Sequence, residues 1–278
     1  MQVINFSDYE NRLSALQAEY AAAQEFPHIV IDNFLTPEVA EQVLQAFPKV
    51  GESGWIHYFH VNEKKFGLNK RELIPPPVLE AIDALNAEPF LSFLRKLTGI
   101  SNLIADPLLE GGGIHQIRRG GFLNVHADFS AHPHHARWRR KVNILIYFNK
   151  DWQESYGGDL EFWSRDMTRC FEKVAPVFNS CVIFNTDLDS YHGHPHPLTC
   201  PENMTRKSLA LYYFTEEDKP IKRATNYQHL PEDKPLKRLL IWTDKKVLSL
   251  YSKVKSTFGL DDDFASNMLR RLSGKRKK

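Results

Sequence analysis

Gly120-Gly121-Phe122-Leu123-Asn124-Val125-His126-Ala127-Asp128-Phe129 is the stretch whose reading decides the fold. A glycine pair turns the chain, and the run that follows has the composition of a β-strand. Strand side chains alternate between faces, so His126 and Asp128 point the same way. Two strong ligands of different kinds, side by side, can clasp one cation from one edge. Taken alone the pair is a weak signal, because a His and an Asp two apart on a strand are more often an ordinary polar pair.

Working outward, short β-type runs continue at 114–116, 142–148, 160–163, 182–185 and 208–214. Turn signals separate them at Gly157-Gly158 and at His192-Gly193-His194-Pro195. Many short strands at such spacing predict a sandwich or barrel. Upstream the pattern is helical. Ser7 and Glu10 form a capping box for a helix to about Ala23. A strand follows at 28–32, and Thr36 caps a second helix with Pro37 at its first position, ending near Pro48. Pro75-Pro76-Pro77 precedes helices at 78–86 and 88–97. Downstream, helices are expected at 235–256 and 263–272. The expected fold is α+β with a mainly β core. Residues 1–110 form a helical and edge-strand part, 111–218 the β core, and 219–278 a basic helical extension.

Composition narrows the class. The chain has 278 residues, 42% hydrophobic and 25% charged, as in ordinary soluble domains. No apolar run approaches the ~20 residues that span a bilayer, and the first residues do not read as a signal peptide. Cys170, Cys181 and Cys200 are odd in number and form no CxxC pair, which suits a reducing cytoplasm and argues against a thiolate zinc site. No nucleic-acid motif is present. Charge is uneven: residues 219–278 hold 16 Lys and Arg against 6 Asp and Glu, so a weakly acidic body carries a basic tail. Apolar Leu240, Val247, Tyr251 and Val254, with Leu239 and Trp242 beside them, recur at helical spacing among the lysines. Two readings stand for this tail: a helix packed on the body, or a docking element for an acidic partner or anionic surface.

A third ligand must come from elsewhere in the fold. The run 182–185 leads into Ser190-Tyr191-His192-Gly193, which puts His192 just past a strand end. Two histidines and a carboxylate make the facial triad of non-haem iron(II), leaving positions open for chemistry. Spacing alone does not choose among His192, His194 and His196. His132, His134 and His135, beside Arg137, Arg139 and Arg140, read as a solvated basic loop. Farther on, Arg206, Ser208, Ala210 and Tyr212 share a strand face. A guanidinium facing a β core is costly unless an anion meets it, and it is the best bidentate partner for a carboxylate. A structural ion pair with a protein carboxylate is the competing reading.

These segments together resemble the 2-oxoglutarate/iron(II) dioxygenases, in particular the prolyl 4-hydroxylase-like branch. The resemblance rests on the HxD run, Asn143-Ile144-Leu145-Ile146-Tyr147-Phe148-Asn149, Gly157-Gly158-Asp159-Leu160-Glu161, Ser190-Tyr191-His192-Gly193-His194-Pro195 and the strand from Arg206 to Phe214. It implies a double-stranded β-helix, a jelly-roll relative, flanked by helices. It implies His126, Asp128 and His192 as iron ligands, with His192 chosen because the ligand precedes the glycine. It implies Arg206 as the partner of the distal carboxylate of 2-oxoglutarate, and Ser208 as the serine of an RxS pattern. Tyr147 falls where a tyrosine hydroxyl reaches the same carboxylate, and Asn143 shares its face; a plain core tyrosine is the alternative. Gln116 is a further candidate for the pocket. Fourteen positions separate His192 from Arg206, longer than in the shortest-spaced hydroxylases, which leaves Lys207 as a rival that strand parity disfavours. The implied reaction consumes 2-oxoglutarate and O2 at Fe(II), with ascorbate as a candidate reductant, and hydroxylates a C–H bond of a peptide or small-molecule substrate. Asp128 favours hydroxylation, since halide-transferring relatives lack that carboxylate. Two rival classes remain at this level: a zinc-type hydrolase and a non-catalytic jelly-roll binding module.

Overall fold

In the computed structural model, residues 2–51, 54–221 and 225–243 are described. Helix α1 (Phe6–Ala22) is capped by Asn5, whose side chain accepts from the Asp8 amide; Ser7 instead donates its hydroxyl to Asn5, so the cap lies two residues before the expected one. Strand β1 (His28–Ile31) and helix α2 (Pro37–Ala46) follow, the latter with Thr36 at the N-cap and proline in its first turn. The hairpin β2 (Ile56–His60) and β3 (Glu63–Leu68) comes next, then helices α3 (Pro76–Asn86) and α4 (Glu88–Thr98). The remaining strands are β4 (Ile104–Ala105), β5 (Gly113–Arg118), β6 (Phe122–Ala127), β7 (Trp138–Tyr147), β8 (Leu160–Trp163), β9 (Cys170–Val174), β10 (Cys181–Asn185), β11 (Tyr191–His194), β12 (Thr205–Glu216) and β13 (Asn226–Tyr227).

The strands pair in the order β1-β10-β7-β12-β5-β3-β6-β11-β8-β9. One layer runs from β1 to β5 and the other from β6 to β9. Strand β3 joins them: Phe66, Gly67 and Leu68 pair with β5, while Glu63 and Lys64 pair with β6. At the far side, Nε2 of His28 on β1 meets the Glu172 carboxylate on β9 at 2.7 Å, so the two open edges approach each other. The result is the expected jelly-roll of double-stranded β-helix type.

Period-two alternation puts two different faces to work on β7 and β12. Val142, Ile144 and Ile146, with Leu209, Leu211 and Tyr213, pack outward under the four helices in the main hydrophobic core. The alternate residues face the barrel interior. Tyr147 lies opposite Ser208, Leu145 opposite Ala210, and Asn143 opposite Tyr212. The inner wall is a second cluster, including Phe162, Val182 and Phe184. No described helix is long and apolar enough to cross a membrane.

The start of the basic tail is not helical. Strand β13 pairs with β6, with Tyr227 opposite His126. Tyr227, Leu230 and Ile241 are buried. A helical segment starts at 235 and is described to 243. Leu239 and Leu240 are exposed on it, so Ile241 rather than Leu240 makes the inward contact. Val247, Tyr251 and Val254, and the helix expected at 263–272, lie outside the described residues. Cutting the chain after Pro220 should therefore lower thermal stability, since each buried large apolar side chain contributes roughly 1.5–3 kcal/mol. It should also weaken metal binding by uncovering His126. A truncated protein with the melting temperature and metal affinity of the full chain would contradict this packing role.

Candidate metal and cosubstrate site

Three side chains converge at the end of β6 and the middle of β11. His126 lies on β6, Asp128 just beyond its last residue, and His192 directly opposite His126. His192 is thus inside a strand, not past the end of one; the turn-like run His192-Gly193-His194-Pro195 hid β11. Gly193 is what lets β11 press on β6, since a Cβ there would meet the Leu123 carbonyl at 2.9 Å and the Asn124 carbonyl at 3.0 Å. Nε2 of His126 lies 3.4 Å from Asp128 Oδ1, and Nε2 of His192 lies 3.4 Å from Asp128 Oδ2. All three ligand atoms fall within 4.8 Å of one another. Cis ligands around a cation with bonds of ~2.1 Å sit about 3 Å apart, so the cluster needs little adjustment to close on one ion.

Hydrogen bonding also prepares these groups for a cation. Nδ1 of His126 bonds the Asn124 carbonyl at 2.9 Å, and Nδ1 of His192 bonds the Ser190 carbonyl at 2.9 Å. A carbonyl can only accept, so each Nδ1 carries the proton and each Nε2 presents a lone pair. Two lone pairs and a carboxylate facing one point form an acceptor-only cluster, which a cation satisfies. Packing fixes the rings: Phe184 stands edge-on to His192 at 4.7 Å, and Tyr227 lies 5.5 Å from His126.

Asp128 is oriented from behind. Its Oδ2 accepts from Asn143 Nδ2 at 2.7 Å and pairs ionically with Arg140 Nη2 at 3.0 Å. Burial would raise its carboxyl, but the Arg140 charge outweighs this and holds it well below the usual carboxylate range. Arg140 is itself buried, donates Nε–H to Asn143 at 2.6 Å, and stacks on Tyr212 at 3.3 Å. Asn143 therefore serves the carboxylate of the triad. Arg140, read from the sequence as part of a solvated loop, is a missed member of the site. His132 of the same loop is also buried, against Asp106, whereas His134 bonds Glu110 near the surface.

Arg206 opens β12 on the inward face, opposite Ile117, while Lys207 faces the other way beside Gln116. Arg206 is buried, donates Nε–H to the Gly158 carbonyl at 2.7 Å, and reaches the Tyr147 hydroxyl with Nη2 at 3.3 Å. Gly158 has φ +84°, and a Cβ on it would lie 3.1 Å from Arg206 Cδ, so this position needs glycine. Among the described residues no carboxylate lies within ion-pair distance of Arg206. Tyr147 and Ser208 share its face. Gln116 does not: its amide donates to the Pro48 carbonyl and accepts from the Thr205 hydroxyl, on the outer side. Its neighbour His115, opposite Ser208, holds the inward place.

A buried polar group on β3 also went unread in the sequence. Glu63 and Lys65 pair at 3.0 Å, and Glu63 further accepts from His60 and from the Tyr227 hydroxyl. Burial would raise the Glu63 carboxyl, yet Lys65 and His60 bring it below its ordinary value. Removing one partner of such a buried pair costs about 3–5 kcal/mol. Glu63→Gln should lose stability on that scale in denaturant unfolding, and adding Lys65→Met should recover part of it. An unchanged unfolding midpoint for Glu63→Gln would show that Lys65 is solvated.

Comparison with known proteins agrees with this geometry. Residues 112–214 match the family model of the 2OG-Fe(II) oxygenase superfamily. No curated protein matches the chain. A Pseudomonas putida prolyl-4-hydroxylase shares 19% identity over 74% of this chain and 100% of its own, with a TM-score of 0.50. A Trichoplax adhaerens prolyl hydroxylase, solved with a hypoxia inducible factor peptide, shares 19% identity over 76% of this chain and 93% of its own, with a TM-score of 0.50. At these identities the structural likeness speaks for the fold. The family implies Fe(II), 2-oxoglutarate and O2, and the acceptor-only cluster fits the metal. Residues 112–214 therefore carry a 2OG-Fe(II) oxygenase domain, in a chain whose fold is prolyl 4-hydroxylase-like.

Proposed function

We propose that the protein is a hydroxylase whose Fe(II) is held by His126, Asp128 and His192 and whose 2-oxoglutarate is held at its distal carboxylate by Arg206. The observation that carries this reading is the buried Arg206 guanidinium, which has no carboxylate partner among the described residues and opens onto the barrel that holds the triad. When bound, Fe(II) supplies the chemistry that couples oxidative decarboxylation of 2-oxoglutarate by O2 to hydroxylation of a C–H bond.

The chain's own residues bind and orient. Arg206 takes the distal carboxylate in a charge-assisted pair, and the Tyr147 hydroxyl, 3.3 Å from Nη2, adds a second donor. Ser208 lies one step farther along the same face. Asn143 and Arg140 hold Oδ2 of Asp128, which leaves Oδ1 for the metal. The Phe162 and Phe184 wall keeps water from the inner side. Residues 111–218 carry this core, and the described residues before and after it pack against it. The substrate is a peptide or a small molecule bearing an unactivated C–H bond. Succinate release that requires both Fe(II) and 2-oxoglutarate, and that rises with one compound of a peptide, amino-acid and glycan screen, tests the reading. Hydrolysis products without consumption of 2-oxoglutarate would replace it with the zinc-type alternative.

A further inference from the structure

Strand β6 has two edges at His126, and different parts of the chain cover them. Strand β11 lies on one, with His192 opposite His126. On the other, β3 pairs only as far as Leu123, and β13 takes up the same edge beyond it, with Tyr227 opposite His126. Directly opposed residues share a face, so Tyr227 points into the barrel with His126. Its ring lies 5.5 Å from the His126 imidazole and 5.9 Å from that of His60, and its hydroxyl donates to the Glu63 carboxylate at 3.1 Å. His60 and Lys65 meet the same carboxylate at 2.8 and 3.0 Å. The residues on either side of Tyr227 turn outward. Asn226 and Gln228 both reach the hydroxyl of Tyr191, which directly precedes His192, at 3.5 and 3.1 Å. The Gln228 amide donates to the Val125 carbonyl, and Leu230 packs with Val125, Ala127 and Tyr191. The segment 226–230 thus grips the chain neighbours of both histidine ligands, and it lies wholly beyond the oxygenase domain at 112–214.

We propose that Tyr227 is a positioning residue for His126, so that a segment outside the family's domain completes the metal site. The inference rests on the reading of His126 as an iron ligand. An imidazole held only by its Nδ1 bond to the Asn124 carbonyl is free to tilt about that bond. The Tyr227 ring limits the tilt on one side, as the His192 ring at 4.6 Å does on the other. Tyr227 is fixed in turn through its hydroxyl, because Glu63 is buried and held in place by Lys65 and His60. A metal bond to Nε2 needs the ring in one orientation. Holding it there beforehand lowers the ordering cost of binding and so raises affinity. The Glu63–Lys65–His60 cluster of β2 and β3 thereby acts on the metal through Tyr227.

Two readouts on the full chain test this: anaerobic Fe(II) affinity, and the d–d absorption of the Co(II)-loaded protein, which reports ligand geometry. Tyr227→Ala should weaken Fe(II) about ten- to hundredfold, the usual scale for losing a partner of a metal ligand, and should alter the Co(II) spectrum. Should that variant not fold, Tyr227→Leu, which keeps apolar bulk without the flat ring, answers the same question. Tyr227→Phe keeps the ring and loses only the bond to Glu63, so it should recover the parent Co(II) spectrum and most of the affinity. Leu16→Ala, in the core under the helices, lowers the melting temperature without touching the site and should move neither readout. A folded Tyr227→Ala protein with parent affinity and spectrum overturns the proposal. So does a Tyr227→Phe protein as impaired as Tyr227→Ala, or a metal loss that Leu16→Ala reproduces. His126→Ala measured in parallel separates the two levels. If it abolishes Fe(II) binding while Tyr227→Ala leaves affinity intact, only the role of Tyr227 falls. If His126→Ala itself leaves Fe(II) affinity intact, the triad is misassigned.

Discussion

Asp128→Ala and His192→Ala proteins are expected to release no succinate above background, whereas His134→Ala and His196→Ala keep most of the turnover. The contrast follows from placement. Asp128 and His192 converge with His126 on one point, while His134 bonds Glu110 and His196 faces solvent. Asp128→Ala also strips buried Arg140 of its carboxylate, so part of any loss could come from unfolding. Asp128→Asn separates the effects, because it keeps volume and an acceptor for Arg140 while removing the negative charge. Both variants should be inactive, with Asp128→Asn closer to the parent in melting temperature. Full succinate release by Asp128→Ala would remove the triad assignment.

The second large effect is on the cosubstrate. Arg206→Ala should raise the 2-oxoglutarate concentration needed for half-saturation by one to several orders of magnitude. The reason is that truncating one member of a desolvated charge pair costs ~2–5 kcal/mol, and each ~1.4 kcal/mol is tenfold. Fe(II) affinity in the absence of 2-oxoglutarate should change little, since Arg206 bonds Gly158 and Tyr147 and touches no member of the triad. Unchanged saturation in the variant would mean that another residue holds the distal carboxylate.

Much of this site was legible because strand parity carries it. The inward faces of 143–147 and 206–212 followed from period two, and the pairing of Tyr147 with Ser208 bears that parity out. Parity also separated Arg206 from Lys207. It misled at Gln116, since a run alone does not say which of its faces turns inward; only the register of His115 against Ser208 does. The β2–β3 hairpin was hidden because Glu63 and Lys65 are charged at inward positions, so the expected alternation is inverted. Strand β13 is two residues long and carries no periodic signal, although Tyr227 lies opposite His126. Arg140 and His132 read as solvated because a cluster of histidines and arginines resembles a surface loop. Their burial depends on Asp128 and Asp106, which lie apart from them in sequence.

The central claim is that one Fe(II) and one 2-oxoglutarate meet in this barrel, held by the triad and by Arg206. Adding Fe(II) and then 2-oxoglutarate to the anaerobic protein tests it most directly. Bidentate chelation of the keto acid should produce a visible charge-transfer band that needs both additions, is absent in His192→Ala, and in Arg206→Ala appears only at much higher 2-oxoglutarate. A protein that binds Fe(II) but develops no band at any 2-oxoglutarate concentration, or one whose band survives loss of His192, would contradict the account.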